Sequence, residues 1–170
     1  MNPVQDRFST IALLYLAQIF KLYPRSDDID RKKHMTEQSK PIFLYAEDDL
    51  DDYEALKEAL EQITDKYELA HAKNGSEVLD YLQQQRGPEP CLIVLDLNMP
   101  IMDGKETLLW IKSQPAFQHI PTMVFTTSSR EEDIKLCQSN NCTFFRKPTL
   151  YRDLLHVVQI MLQMCGGPKG

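Results

Sequence analysis

Short apolar runs alternate with segments of helical periodicity from residue 41 onward. Residues 91–95 are continuously apolar and are followed directly by Asp96, Asn98 and Pro100. An unbroken apolar run of this length predicts a strand that is buried on both faces, as in a parallel sheet covered by helices. In open sheets of this kind ligands bind beyond the carboxyl ends of the strands. Asp96 is therefore expected where chemistry takes place.

The same alternation predicts five strands, each followed by a helix. The predicted strands are residues 42–46, 67–72, 91–95, 122–125 and 143–146. Ser76 is the predicted N-cap of the second helix, and either Asn140 or Asn141 is expected to end the fourth in a left-handed conformation. In the last helix, four apolar positions are predicted to face the sheet: Leu150, Leu154, Val158 and Met161. Strict alternation of this kind predicts an α/β fold with a five-stranded parallel sheet and helices on both faces.

The first part of the chain has a different pattern. Residues 8–23 are apolar nearly all round, and the polar stretch that follows has no periodicity. A membrane span needs about 20 apolar residues, and this run is shorter and contains Gln18 and Lys21, so we expect no membrane anchor. Met35 resembles an ordinary start upstream of the first strand. We expect residues 1–40 to be an N-terminal extension, poorly ordered or a surface helix, residues 41–164 to be the domain, and residues 165–170 to be a short tail.

Composition limits the function classes. The chain has 170 residues, is 42% hydrophobic and carries a net charge of −6, which is typical of one globular domain with a modest extension. Because the charge repels nucleic acid, we expect no direct DNA binding and favour a protein partner or a small anion. The four cysteines form no CxxC motif, so we expect reduced thiols in a cytoplasmic protein, with neither a disulfide nor a zinc site.

Polar groups with complementary chemistry follow four of the predicted strands: the acids Glu47 and Asp48, then the acid Asp96, then the hydroxyl of Thr126, then the ammonium of Lys147. If the first, third and fifth strands lie side by side, these groups converge at one edge of the sheet. Crowded carboxylates need a neutralising cation, and hard oxygen ligands suit Mg²⁺. A central carboxylate surrounded by a metal, an ammonium and a hydroxyl is equipped to accept a phosphoryl group. Asp49 and Asp103 are instead interpreted as a helix N-cap and a turn residue.

The motifs EDD, LDLNMPIMDG, TTS and FFRKP, in this order and spacing, closely resemble the receiver domain of two-component response regulators. The resemblance covers residues 41 to about 164. It implies the flavodoxin-like (βα)5 receiver fold and phosphorylation of Asp96 by a histidine kinase or a phosphotransfer protein. The stretches IKSQP and IPTMVFTTS are similar to stand-alone receivers associated with bacterial phytochrome kinases.

The resemblance also implies a role for each site residue. The Mg²⁺ ligands would be Glu47, Asp48, Asp96 and the backbone carbonyl of Asn98. Thr126 and Lys147 would contact the phosphoryl group, while Thr126 and Phe144 would form the conformational switch. No enzyme activity is expected beyond self-catalysed phosphoryl transfer and slow autodephosphorylation.

Few residues follow the last helix, so we expect output through protein contacts or phosphorelay. The apolar arc of that helix is broader than a single core stripe, which predicts that the face formed by the fourth helix, fifth strand and fifth helix mediates self-association or partner docking. Two alternatives remain open. A haloacid-dehalogenase-type phosphohydrolase would use the same groups but needs a second Asp where Asn98 stands. A degenerate receiver would act only as a binding module.

Overall fold

The computed structural model describes residues 40–84 and 87–166, so the predictions for the N-terminal extension lie outside the described residues. Strands and helices alternate throughout this part of the chain. Their bounds are β1 Ile42–Ala46, α1 Leu50–Ile63, β2 Glu68–Ala72, α2 Gly75–Gln83, β3 Leu92–Leu95, α3 Gly104–Ser113, β4 Thr122–Thr126, α4 Glu131–Ser139, β5 Thr143–Arg146 and α5 Tyr151–Gly166.

The five strands form one parallel sheet in the order β2-β1-β3-β4-β5. This confirms the predicted fold class. The position of the fifth strand differs from the arrangement considered above, in which the first, third and fifth strands lie side by side. β1 and β3 are neighbours, but β4 lies between β3 and β5. The strands that precede Glu47 and Asp96 are adjacent, with Ala46 opposite Leu95 in the register.

Both faces of the sheet are covered, which explains the unbroken apolar strands. Alternate residues of each central strand point to opposite faces. On one face, Phe43, Tyr45 and Val94 pack with α1 and α5, while on the other face Leu44 and Ile93 pack with α2, α3 and α4. Each central strand therefore needs apolar side chains at consecutive positions, and the alternation typical of a one-sided sheet is lost.

Polar residues begin the helices. The Asp49 side chain accepts the backbone N–H groups of Asp51 and Asp52 and caps α1, as predicted. Asp103 caps α3 in a reciprocal capping box with Glu106. The prediction for α2 is wrong, because Asn74 rather than Ser76 is the N-cap.

The end of α4 agrees with its prediction, whereas the beginning of α5 differs in part. Asn141 has a φ of 49° in the turn after α4, which confirms that one of the two asparagines adopts the left-handed conformation. Leu154, Val158 and Met161 of α5 are buried as predicted, but Leu150 is 50% exposed. The Leu150 carbonyl accepts the N–H groups of Asp153 and Leu154 at the start of the helix, so this residue precedes the core-facing stripe.

The expectation of four unpaired cysteines is wrong. Cys91 is paired with Cys165 and Cys137 with Cys142 in disulfides, and each pair has a Cα–Cα distance of 5.0 Å. The first pair links residues 74 positions apart, because α5 ends next to the beginning of β3. Sequence spacing does not reveal a proximity created by the fold. Among residues 40–84 and 87–166, no helix is long and apolar enough to cross a membrane.

Candidate functional site

Three carboxylates meet at the carboxyl edge of the sheet. The backbone N–H of Asp96 donates to the Ala46 carbonyl at 3.0 Å, which aligns the ends of β1 and β3. Carboxylate oxygens of Glu47, Asp48 and Asp96 lie within 4.8 Å of one another. Glu47 and Asp96 are buried and Asp48 is exposed, so the cluster opens toward solvent on one side.

The two carboxylate oxygens of Asp96 have different surroundings. Oδ2 accepts the backbone N–H of Asn98 at 3.1 Å. Oδ1 is buried and has no hydrogen-bond partner in the described part of the chain. A buried oxygen without a donor is costly, and its desolvation is normally offset by a ligand or an ion. Oδ1 is therefore the oxygen available for chemistry or for coordination.

Lys147 reaches the cluster although its strand is not adjacent to β3. Its backbone N–H donates to the carbonyl of Thr126 at 2.8 Å, which fixes the start of the loop after β5. The ammonium Nζ lies 2.5 Å from Glu47 Oε2, 2.7 Å from Asp52 Oδ2 and 3.9 Å from Asp96 Oδ1. Burial lowers the pKa of Lys147, but the carboxylates of Asp52, Glu47 and Asp96 outweigh it and raise the pKa above its usual value. The site thus contains a firmly protonated cation.

Glu47 is held by protein groups on both oxygens. Oε2 accepts the hydroxyl of buried Tyr45 at 2.6 Å as well as the ammonium of Lys147, and Oε1 accepts the N–H of Asp49 at 3.2 Å. Burial raises the pKa of Glu47, and hydrogen bonds from Lys147 and Tyr45 oppose this only in part. Burial next to the Glu47 carboxylate likewise raises the pKa of Tyr45, which keeps its hydroxyl a hydrogen-bond donor.

Thr126 is buried at the end of β4, and its Oγ1 accepts the backbone N–H of Ser128 at 3.3 Å. The Ser128 hydroxyl donates to Asp133 Oδ2 at 2.5 Å, and Lys105 Nζ lies 2.6 Å from Asp133 Oδ1. These contacts link the loop after β4 to the beginnings of α3 and α4. Phe144 is half-buried in β5 and packs against the core on the α2, α3 and α4 face.

Gly104 allows the loop after β3 to fold back under Asp96. A Cβ atom at this position would overlap the backbone carbonyl oxygen of Asp96, and the Gly104 N–H donates to the Leu97 carbonyl at 3.1 Å. Only glycine permits such a close approach of two backbone segments. The glycine of the MDG motif is thus required by the close packing of the two backbone segments.

Comparison with known proteins agrees with this geometry. A sequence model described as the response regulator receiver domain matches residues 43–159. The chain belongs to the response regulator receiver domain family. This places it in two-component signalling and disfavours the haloacid-dehalogenase alternative.

Several receiver proteins are similar to this chain. It is 36% identical to the response regulator Rcp1 from Synechocystis sp. over 133 residues, which cover 74% of this chain and 90% of Rcp1. The crystal structure of phosphorylated RcpA, a cyanobacterial phytochrome response regulator, has a TM-score of 0.69 at 30% identity and covers 76% of this chain and 96% of RcpA. The Mn²⁺-bound form of Rcp1 has a TM-score of 0.66 at 33% identity, covering 72% and 92%. The receiver fold predicted from the motifs is confirmed.

The acidic cluster fits a divalent cation. Carboxylate oxygens are the ligands that hard cations such as Mg²⁺ prefer, and three residues offer them within 4.8 Å. Asp96 Oδ1 lies 3.9 Å from the Lys147 ammonium and accepts no hydrogen bond from the described residues, so it can take a ligand. Asn98 is exposed beside the cluster, and its backbone N–H is occupied by Asp96.

Sequence reasoning missed three residues that shape the site: Tyr45, Asp52 and Asp133. Tyr45 and Glu47 are two positions apart, and residues at this spacing in a strand point to the same face, so their contact could have been anticipated. Asp52 lies four positions after Asp48 in the first turn of α1, where the helix dipole also favours an acid, so the sequence does not single it out as a site residue. Asp133 meets Lys105 only through the packing of α3 beside α4, which no local pattern signals.

Proposed function

We propose that this protein is a response regulator that accepts a phosphoryl group on Asp96 from a histidine kinase or a phosphotransfer protein. The observation that carries the proposal is the buried Asp96 Oδ1, which accepts no hydrogen bond from residues 40–84 and 87–166 and lies 3.9 Å from the ammonium of Lys147. A carboxylate oxygen with no donor is a better nucleophile than one already bound, and the nearby cation favours an anionic donor. The similarity to RcpA makes a phytochrome-type kinase the first donor to test.

In the proposed transfer, the phosphoryl group moves from a donor histidine to Asp96. Asp96 Oδ1 forms a bond to phosphorus while the bond between phosphorus and the donor's imidazole nitrogen breaks. The nitrogen keeps the electron pair and takes up a proton. Asn98 holds Oδ2 through its N–H and leaves Oδ1 free to attack. Lys147 and the Thr126 hydroxyl stabilise the phosphoryl oxygens in the product.

A divalent cation belongs to this proposal. Glu47, Asp48 and Asp96 would hold Mg²⁺ together with the backbone carbonyl of Asn98. When bound, the ion neutralises charge on the incoming phosphoryl oxygens. The protein supplies the preorganised acids, because Tyr45, Lys147 and the Asp49 N–H fix the Glu47 carboxylate before any ion arrives.

Thr126 and Phe144 are the proposed switch. Thr126 Oγ1 accepts the Ser128 N–H at 3.3 Å, and its own O–H would turn toward a phosphoryl group on Asp96. Its displacement moves the loop that leads into α4. Phe144 is half-buried on β5, the strand next to β4, and is the aromatic residue that would move with Thr126. Phosphorylation would thereby alter the face formed by α4, β5 and α5.

Exposed apolar side chains at the carboxyl edge of the sheet support a protein donor. Four of the five large apolar residues exposed in the described part of the chain follow the strands that form this edge: Leu50 after β1, Ile101 after β3, and Leu150 and Tyr151 after β5. Exposed apolar groups at the same edge of the sheet as a reactive centre favour contact with a protein. A phosphohistidine donor that docks there would bring its phosphorus to Asp96.

The α4-β5-α5 face is the proposed output surface, for self-association or for another protein. Leu155, Ile160, Leu162 and Met164 of α5 are only half-buried against the core. Sedimentation with and without beryllofluoride, a phosphoryl mimic, should detect tighter assembly with the mimic. Ile160→Glu should abolish the change, and Gln163→Glu, at an exposed position of the same helix, should not. An unchanged assembly state in both conditions would contradict this output route.

The central proposal is tested by incubating the full chain with acetyl phosphate and Mg²⁺ and measuring its intact mass. The wild type should gain one phosphoryl group, and Asp96→Asn should gain none. Asp103→Asn is the matched control, because Asp103 is an acid of the same loop that serves as a helix cap. Labelling of Asp96→Asn to the wild-type level would refute the proposal.

A further inference from the structure

The ammonium of Lys147 is occupied away from Asp96. It has three N–H donors, and two acids accept from it at hydrogen-bond distance: Glu47 at 2.5 Å and Asp52 at 2.7 Å. The 3.9 Å separation from Asp96 Oδ1 is too long for a hydrogen bond. One N–H donor is left over, but the two short contacts fix the position of Nζ, so the ammonium can move closer to a group on Asp96 only if it loosens one of them.

The two acids differ in how easily they can release the cation. The Glu47 side chain is 1% exposed, and removing its counter-charge would leave a buried carboxylate without compensation. The Asp52 side chain is 43% exposed, so water can replace the ammonium. The contact with Asp52 is the one that Lys147 can exchange for the phosphoryl oxygens.

Asp52 is also held in place by its position in the helix. It lies in the first turn of α1, where its backbone N–H donates to the capping carboxylate of Asp49 at 3.3 Å. The neighbouring Asp51 is exposed, and its own N–H donates to the same cap at 2.8 Å. The two acids thus share a helical turn and a cap, but only Asp52 contacts Lys147.

We propose that Asp52 is a positioning residue that holds Lys147 off Asp96 and so sets how readily the lysine turns to a phosphoryl group. This inference rests on the proposed phosphorylation of Asp96. Removing the Asp52 charge frees one donor of the ammonium and lowers the cost of reorienting it. The unphosphorylated state then loses a favourable contact. The free energy of the phosphorylated state therefore falls relative to that of the unphosphorylated state.

The test uses fluorine NMR to measure how tightly the full chain binds beryllofluoride at saturating Mg²⁺. Asp52→Asn should bind the mimic about twofold to fivefold more tightly than wild type, the range expected from a half-exposed ion pair. Asp51→Asn, which removes the same charge from the same turn, should bind as wild type does. Asp52→Glu restores a carboxylate and should return the affinity toward the wild-type value.

Two results would overturn the inference. Asp52→Asn could bind the mimic no more tightly than Asp51→Asn. Any change in affinity would then come from the general negative charge of the acids and not from the contact with Lys147. Asp52→Asn could also bind more weakly than wild type, which would mean that Asp52 orients Lys147 toward the phosphoryl group. Failure of the wild type itself to bind the mimic, or to gain phosphate from acetyl phosphate, would instead overturn the proposed function. Far-UV circular dichroism checks that each variant is folded.

Discussion

The hydrogen bond between Tyr45 and Glu47 offers a quantitative test of how the site is built. Tyr45 is fully buried in β1, and its hydroxyl donates to Glu47 Oε2 at 2.6 Å. Tyr45→Phe removes this donor and leaves the ring in place. The buried carboxylate then keeps only Lys147 on that oxygen, so the folded state loses stabilisation of a charged group.

The magnitude follows from the kind of bond. A hydrogen bond to a charged group contributes about 1.5–3 kcal/mol. Because Lys147 still donates to the same oxygen, we expect Tyr45→Phe to lower the free energy of unfolding by about 1.5–2 kcal/mol, the lower part of that range. For a domain of this size, this corresponds to a fall in Tm of roughly 5–8 °C.

Urea unfolding followed by circular dichroism provides the measurement, in buffer without Mg²⁺. Tyr151→Phe is the matched control, because the exposed Tyr151 donates its hydroxyl to Gln62 at 2.8 Å on the surface. The control should change the free energy of unfolding by less than about 0.5 kcal/mol. Equal effects of the two substitutions would refute the argument that burial gives the Tyr45 bond its strength.

Three further predictions concern other parts of the chain. Gly104→Ala should destabilise the domain by about 1–3 kcal/mol in urea unfolding, because the new Cβ overlaps the Asp96 carbonyl oxygen; an unchanged midpoint would contradict this. Burial raises the pKa of Asp133, but the contacts with neighbouring cations and a hydroxyl lower this pKa overall. The stabilisation that Asp133 gives to the folded state is therefore present above the unfolded pKa of about 4. It is lost as the pH falls through the lower pKa of the folded state. Asp133→Asn should therefore flatten the acid side of the stability profile, whereas the exposed Asp153→Asn should leave it unchanged. Deleting residues 1–34 should leave the unfolding midpoint and the labelling by acetyl phosphate intact, and a large loss of stability would show that the extension packs on the domain.

Local pattern was sufficient for the elements but not for every boundary. Asp49 and Asp103 have the residue types that cap helices, and both do so. Ser76 is equally suited to cap α2, yet Asn74 takes the position, because the helix begins two residues earlier against the loop after β3, where the Gly75 N–H donates to the Met102 carbonyl. Propensity could not choose between two capping residues when a contact from a distant loop decided where the helix starts.

The sequence by itself determined the α/β alternation, the parallel sheet and the set of acid, hydroxyl and lysine residues at its carboxyl edge. These depend on periodicity and on the residues that follow each strand, which are local properties. The tertiary structure decided how those groups share their charges: Lys147 reaches from the end of the edge strand to Glu47 and Asp52, and one Asp96 oxygen accepts no hydrogen bond within the described part of the chain. Such pairings join residues up to 100 positions apart, and their energies depend on burial and on distances of a few ångströms. Only the packing of the helices on the sheet sets those quantities.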